Sequence, residues 1–161
     1  MRFPSGYYLI SYHFTFFCQK FGRPHFLYES YWNPAALKNI ERASLTLMHA
    51  VYLQDSFFDY AAYGHNLGDA GALGVGFQYL SAGDIPETDQ SGSSLGSFTP
   101  HDLAVSLGYA KKLGGFSLGL SGKYIQSKIL DSATAGAVDL GVLTPRYFQN
   151  KLRFAAALTN L

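Results

Sequence analysis

The stretch Gly71-Ala-Leu-Gly-Val-Gly-Phe-Gln-Tyr-Leu80 alternates with a period of two, and its reading decides the fold. Leu73, Val75, Phe77 and Tyr79 share one face of an extended strand, while Gly74, Gly76 and Gln78 share the other. The first face is large and apolar throughout; the second carries almost no bulk. A strand of a soluble sandwich inverts this arrangement, with large residues inward and Lys, Glu or Thr outward. An apolar face backed by glycine suits a strand whose greasy side meets lipid and whose other side lines a crowded or watery interior.

The same strand recurs on both sides of that stretch. Upstream, Leu45, Leu47, His49 and Val51 alternate with Ser44, Thr46, Met48 and Ala50. Gln54-Asp55-Ser56 turns the chain, Phe57 to Leu67 returns, and Gly68-Asp69-Ala70 is a tight turn. Downstream, Ser81 to His101 reads as a long polar connection, of a length that in a compact domain is usually functional or mobile. Leu103, Val105, Leu107 and Tyr109 then alternate with small residues, and Gly114-Gly115 marks a hairpin. Phe116, Leu118 and Leu120 follow, then a second polar loop over Ser127 to Gly136, then Val138, Leu140 and Val142. Gln149-Asn150-Lys151 turns into Leu152, Phe154, Ala156 and Leu158. The expectation is about seven strands joined by connections that run long, short, long, short. Outer-membrane barrels alternate in that way, with long outer loops and short periplasmic turns.

Composition narrows the class. The 161 residues are enough for one domain with a core. Only 14% are charged, against roughly 25% in soluble domains. A net charge of +1 gives no electrostatic case for nucleic acid as a partner. No run of 18 or more apolar residues occurs, so a transmembrane helix is not expected; barrel strands stay open, because their hydropathy signal is weak. Residues 1–30 form a separate segment, a degenerate signal or non-native sequence. Their apolar run is broken by Ser11, Tyr12 and His13, and no small-x-small cleavage site follows. The lone Cys18 excludes an internal disulfide.

Ahead of the first strand stands Trp32-Asn33-Pro34-Ala35-Ala36-Leu37. Pro34 confines Asn33 to extended or turn geometry and is tolerated at the first position of a helix, so a short helical piece is expected through about Ile40. This motif, the strand after it, His49 to Tyr63 and the Gly71–Leu80 strand together resemble the PorV/PorQ-type outer-membrane barrels, relatives of the FadL-like long-chain fatty acid transporters. The resemblance covers roughly residues 30–161. It implies an all-β antiparallel transmembrane barrel of the bacterial outer membrane, with Trp32, Asn33, Pro34 and Ala35 in a plug at its N-terminal side. PorV-type members serve type IX secretion, so the implied partners are outer-membrane lipid and secreted cargo or secretion-system proteins. FadL-like members instead pass hydrophobic small molecules. The chain departs from the family in lacking the Gly/Ala- and Asp-rich lead into the plug motif. An odd strand count does not close a barrel, so residues 31–161 are expected to be the N-terminal half of a longer one.

No catalytic, cofactor or metal constellation is apparent, and no enzyme activity is expected. The five histidines lack metal-ligand spacing, and the glycines of residues 71–76 alternate along a strand rather than opening a phosphate-binding helix. Asp59, His65, Lys123, Asp139 and Arg153 are assigned to the glycine-bearing lumen side, because a Lys or Arg at the lipid midplane costs about 2–4 kcal/mol. Lys123 and Asp139 are placed to pair across adjacent strands. Tyr60, Tyr79, Tyr109 and Tyr124 are assigned to an interfacial girdle. A soluble lipocalin-like carrier is the alternative from another class: it too alternates and holds one ligand, but it would wet the large apolar face.

Overall fold

The computed structural model describes residues 30–53, 55–149 and 152–161, so the signal-like segment lies outside the described residues except for Ser30. A 3-10 helix, Pro34–Asn39, leads into strands β1 (Ala43–Val51), β2 (Phe57–Asn66) and β3 (Ala72–Ser81). The short strands β4 (Ile85–Thr88) and β5 (Ser94–Phe98) follow, then β6 (His101–Leu113), β7 (Phe116–Lys128), β8 (Ser132–Leu143) and β9 (Ala155–Leu158). All but β4 and β5 form one seven-stranded sheet in the order β1-β2-β3-β6-β7-β8-β9. Every neighbour in it is antiparallel, so the fold is an all-β meander in an open sheet. No helix among the described residues is long and apolar enough to cross a membrane, which says nothing of crossing by strands.

Two connections differ from the sequence expectation. Residues 82–100 contain the β4–β5 hairpin, closed at its base by Ala82 N–H to Pro100 O (3.0 Å) and by the Thr99 hydroxyl to Asp84. The second expected loop is mostly strand: Gln126 pairs with Thr134 and Ser127 with Ala133, leaving a turn of residues 129–131. A ladder is made by backbone N–H and C=O groups, so Ser, Thr, Ala and Gly extend it without an apolar pattern to announce it. The β8–β9 connection, in turn, runs over residues 144–154 and carries a bridge between Tyr147 and Leu152. Connection lengths therefore do not alternate as expected.

The β4–β5 tip is organised by Asp89. Its Oδ1 accepts from Ser91 N–H (2.8 Å), Ser91 Oγ–H (2.7 Å) and Ser93 N–H (2.8 Å). The Ser91 hydroxyl, followed by the Ser93 amide, holds this carboxyl below its ordinary range. Because the folded pKa is the lower one, the tip's stabilisation is complete above the ordinary Asp range and is lost as pH falls through the depressed value. The Ser91 and Ser93 amide resonances should therefore titrate together, with a midpoint below that of an unstructured Asp. An ordinary midpoint would show that the cage does not form.

Candidate functional site

Cross-strand register carries small residues across one face of the sheet. One row reads Ala72, Ala110, Gly119, Gly141 and Ala157; the next reads Gly64, Gly74, Gly108, Ser121 and Asp139. The absence of bulk along these rows makes a trough, and the 3-10 helix lies in it. Pro34, Ala35, Ala36 and Leu37 are all buried there. A Cβ built on Gly74 or Gly108 would strike the Leu37 side chain, one on Gly119 would strike the backbone of Pro34 and Ala35, and one on Gly141 would strike Asn33. Leu37 and Ile40 complete the contact in a cluster with Tyr60, Ala62, Ala72 and Ala110.

Polar contacts pin the helix at both ends. Asn33 Oδ1 accepts the Ala35 N–H (3.0 Å), capping the helix, while its Nδ2 donates to Val142 O (3.3 Å) and Ala156 O (3.2 Å) on β8 and β9. Lys38 donates to Asn66 Oδ1 (2.8 Å), Gly68 O (2.6 Å) and Gly71 O (3.4 Å), and Asn66 Nδ2 returns a bond to Ile40 O (2.5 Å). Asn39 Oδ1 accepts from Arg153 Nη1 (2.7 Å), whose Nε also donates to Thr144 O (3.0 Å). The 3-10 helix and the sheet are thus one packed unit. Truncating Leu37 to alanine should cost about 2–5 kcal/mol, read as a lowered unfolding midpoint; a change within experimental error would mean that the helix is not held by the trough.

Beside the helix sits a buried charge pair. Asp139 is fully buried; its Oδ2 meets Lys123 Nζ at 2.6 Å and accepts from Ser121 Oγ (3.0 Å), and its Oδ1 accepts Asn160 N–H (2.9 Å). Lys123 Nζ lies 5.0 Å from the centre of the Tyr31 ring, a cation–π distance. A cavity of about 40 Å³ remains between Tyr31, Lys123, Ser106 and Gln78, room for a few water molecules and too small for an acyl chain.

The opposite face is exposed and apolar. Leu45, Tyr63, Val75, Leu107 and Val138 lie in one row across it, and Leu47, Phe77, Val105 and Tyr124 lie in another. Leu107 is 65% exposed and Leu47 71%, values far from those of a soluble core. Amphipathic residues close the band at each end. His49, Phe57, Tyr79 and His101 form a chain of ring contacts at 5.9, 5.8 and 5.7 Å, while Tyr63 and His65 stack at 6.3 Å with Tyr109 near the other end. Asp59 and His65 mark the two ends along β2, about 20 Å apart at 3.4 Å per residue.

These placements sort the residues singled out from sequence. Asn33, Pro34 and Ala35 lie in the trough, whereas Trp32 is 52% exposed and rests edge-on against Tyr31 at 5.1 Å. Lys123 and Asp139 lie on the small-residue face and meet; Arg153 reaches the helix through Asn39. Asp59 and His65 do not belong with them. Register sets Asp59 opposite Tyr79 and His65 opposite Leu73, on the apolar face, with Gly64 and Ala62 facing the glycines instead. Asp59 is tolerated there because His49 Nδ1 lies 2.6 Å from it at the edge of the band, and His65 because Tyr63 Oη contacts its ring at 3.2 Å. Tyr60 is corrected the other way, from the girdle to the buried cluster. Both errors share a cause: β2 carries aromatics at Phe57, Phe58, Tyr60 and Tyr63, so alternation there does not define which face is which.

Lys38, Asn39, Asn66 and Asn160 went unnoticed in the sequence; only the Asn-Pro N-cap gave a local signal. Among the described residues no group of three or more His, Cys, Asp or Glu is placed to hold a metal ion. No family model, curated protein or solved structure matches the chain.

Proposed function

We propose that this chain is a plugged segment of a transmembrane β-barrel of the bacterial outer membrane, similar to the PorV-type components of type IX secretion. One observation carries the membrane reading: an exposed apolar band, closed at both ends by aromatic and histidine residues, backs a face of glycine and alanine filled by the chain's own N-terminal helix. Bands and girdles of this kind match the lipid-facing surface of outer-membrane barrels. A lipocalin-like carrier needs the reverse polarity, with its apolar face turned inward around a ligand. Seven alternating strands leave the edges β1 and β9 running in the same direction, so antiparallel closure requires an odd number of further strands, from this polypeptide or another. Open edges in hydrocarbon leave backbone groups unpaired at several kcal/mol each, so lipid insertion demands that closure.

Within the barrel reading, a surface role in docking or shuttling secreted cargo fits better than passage of hydrophobic small molecules. The trough over Gly74, Gly108 and Gly119 is occupied by the helix, and the gap left beside Tyr31 and Lys123 is far below the volume of a fatty acid. The test is fractionation of cells that produce the protein, followed by deletion of its gene. Outer-membrane location and retention of secreted cargo in the deletion strain are expected. A detergent-free soluble form would remove the membrane reading; outer-membrane location with normal secretion and impaired fatty-acid uptake would move the function to transport. Placing lysine at Leu107, near the middle of the band, should lower stability in lipid by about 2–4 kcal/mol while leaving soluble exposure harmless. A neutral effect in bilayers would show that the face is wetted.

A further inference from the structure

The seven strands of the sheet carry four lysines and no arginine. Register divides the four by face. Lys112 stands opposite Ser117 and Lys123 opposite Ala137, on the small-residue side. Lys111 stands opposite Leu118 and Lys128 opposite His101, on the apolar side. Both of these are exposed, and neither makes an ion pair or hydrogen bond with any described residue. Along β6 the residues that share their face between them are Leu103, Val105, Leu107 and Tyr109, none of them charged. A cation on such a face is stable only where its ammonium reaches water or an anion at the edge of the apolar zone. The spacing of the two lysines has a physical scale. His101 and Lys111 are ten residues apart along β6, as are Leu118 and Lys128 along β7, or about 34 Å at 3.4 Å per residue. At the tilt of barrel strands this becomes roughly 26 Å along the membrane normal, against an apolar band about 25 Å tall. Past each lysine, two more apolar side chains lie exposed: Leu113 and Phe116 beyond Lys111, Ile129 and Leu130 beyond Lys128. Each ammonium is therefore set on an apolar stem among apolar neighbours, at the depth where lipid tails give way to headgroups.

We propose that Lys111 and Lys128 each bind the phosphate of an anionic lipid headgroup, one in each leaflet. A lysine ammonium is a compact point charge suited to phosphate, and the lipid phosphate is the anion found at both of these depths on the outside of a barrel. The inference rests on the outer face meeting lipid and adds which lipid it holds.

The test mixes the full chain with vesicles of phosphatidylcholine, alone or in equal parts with phosphatidylglycerol. Flotation with the vesicles reports whether the outer face meets lipid, and native mass spectrometry after extraction in an uncharged detergent reports which lipid stays bound. Flotation with both vesicle types is expected, with two phosphatidylglycerol molecules carried per chain. Lys111→Gln and Lys128→Gln should each weaken one of the two sites about fivefold. Lys112→Gln, the same loss of charge one residue away on the small-residue side, should weaken neither. Absence of flotation overturns the membrane reading and this inference with it. Flotation with phosphatidylcholine carried as readily as phosphatidylglycerol, or with Lys112→Gln as damaging as Lys111→Gln, overturns the lipid sites alone.

Discussion

Asp139→Ala is expected to lower stability by about 3–5 kcal/mol, the scale on which removing one partner strands a buried charge. The variant leaves Lys123 with a side chain only 11% exposed and no carboxylate to receive its proton-bearing nitrogen. It also removes the acceptor of the Asn160 N–H, which helps tie the end of the chain to β8. Lys123→Met alone should be damaging for the converse reason, because the buried Asp139 carboxylate then loses its counter-charge and keeps only the Ser121 and Asn160 donors. The double variant Lys123→Met with Asp139→Leu should recover most of the loss, since replacing a buried pair by apolar residues of similar size is often close to neutral. Unfolding in one fixed detergent or lipid, compared across the unaltered chain, Asp139→Leu, Lys123→Met and the double variant, gives the coupling. Single losses below about 1 kcal/mol would mean that water reaches the pair and that it behaves as a surface contact.

Gly119→Ala should dislodge the 3-10 helix, and it should do so while several other glycines tolerate the same change. At Gly119 the new methyl falls on Ala35 N, Ala35 Cα and the Pro34 carbonyl carbon, which are backbone atoms with no rotamer to escape into. At Gly74 and Gly108 its one tight contact is with the Leu37 side chain, which can rotate, and at Gly122 on the outer face it meets nothing within 4 Å. The expected order of damage is Gly119, then Gly74 and Gly108, with Gly122 unchanged; Gly119 should reach or exceed the roughly 1–3 kcal/mol typical of overpacking. Trp32 is the chain's single tryptophan and adjoins the helix, so its emission and its quenching by a water-soluble quencher report the displacement directly. Equal emission from the Gly119 and Gly122 variants would show that the helix does not sit in the trough.

Much of the fold was legible because the glycine-backed alternation of β3 repeats in β6 and β7, where one face is unmistakably small. Asn33-Pro34 announces a turn into a short helical piece through about Ile40, and the 3-10 helix spans Pro34–Asn39. What failed has a common physical origin. The hairpin of residues 85–98 and the outer halves of β7 and β8 are held by backbone ladders between small or polar residues, which leave no hydrophobic period. In β2 both faces carry aromatics, so alternation and the expense of charge in lipid set Asp59 and His65 beside the glycines, whereas register sets them on the apolar face. The Lys123–Asp139 contact could be anticipated from two strands and a turn, whereas the contacts of Lys38 and Asn39 with Asn66 and Arg153 join distant segments that no local pattern connects.

The Asn33 clamp also dictates an order of events during assembly. Its amide reaches Val142 and Ala156, which follow it by 109 and 123 residues, although every strand pairing in the sheet except that across the β4–β5 excursion joins near neighbours in sequence. Hairpins of this kind accrete one after another with little loop-closure entropy, whereas the acceptors of Asn33 are in place only once β8 and β9 have zipped. Full seating of the Pro34–Asn39 helix therefore waits on those two strands, and the Asn33 bonds certify that they have found their register.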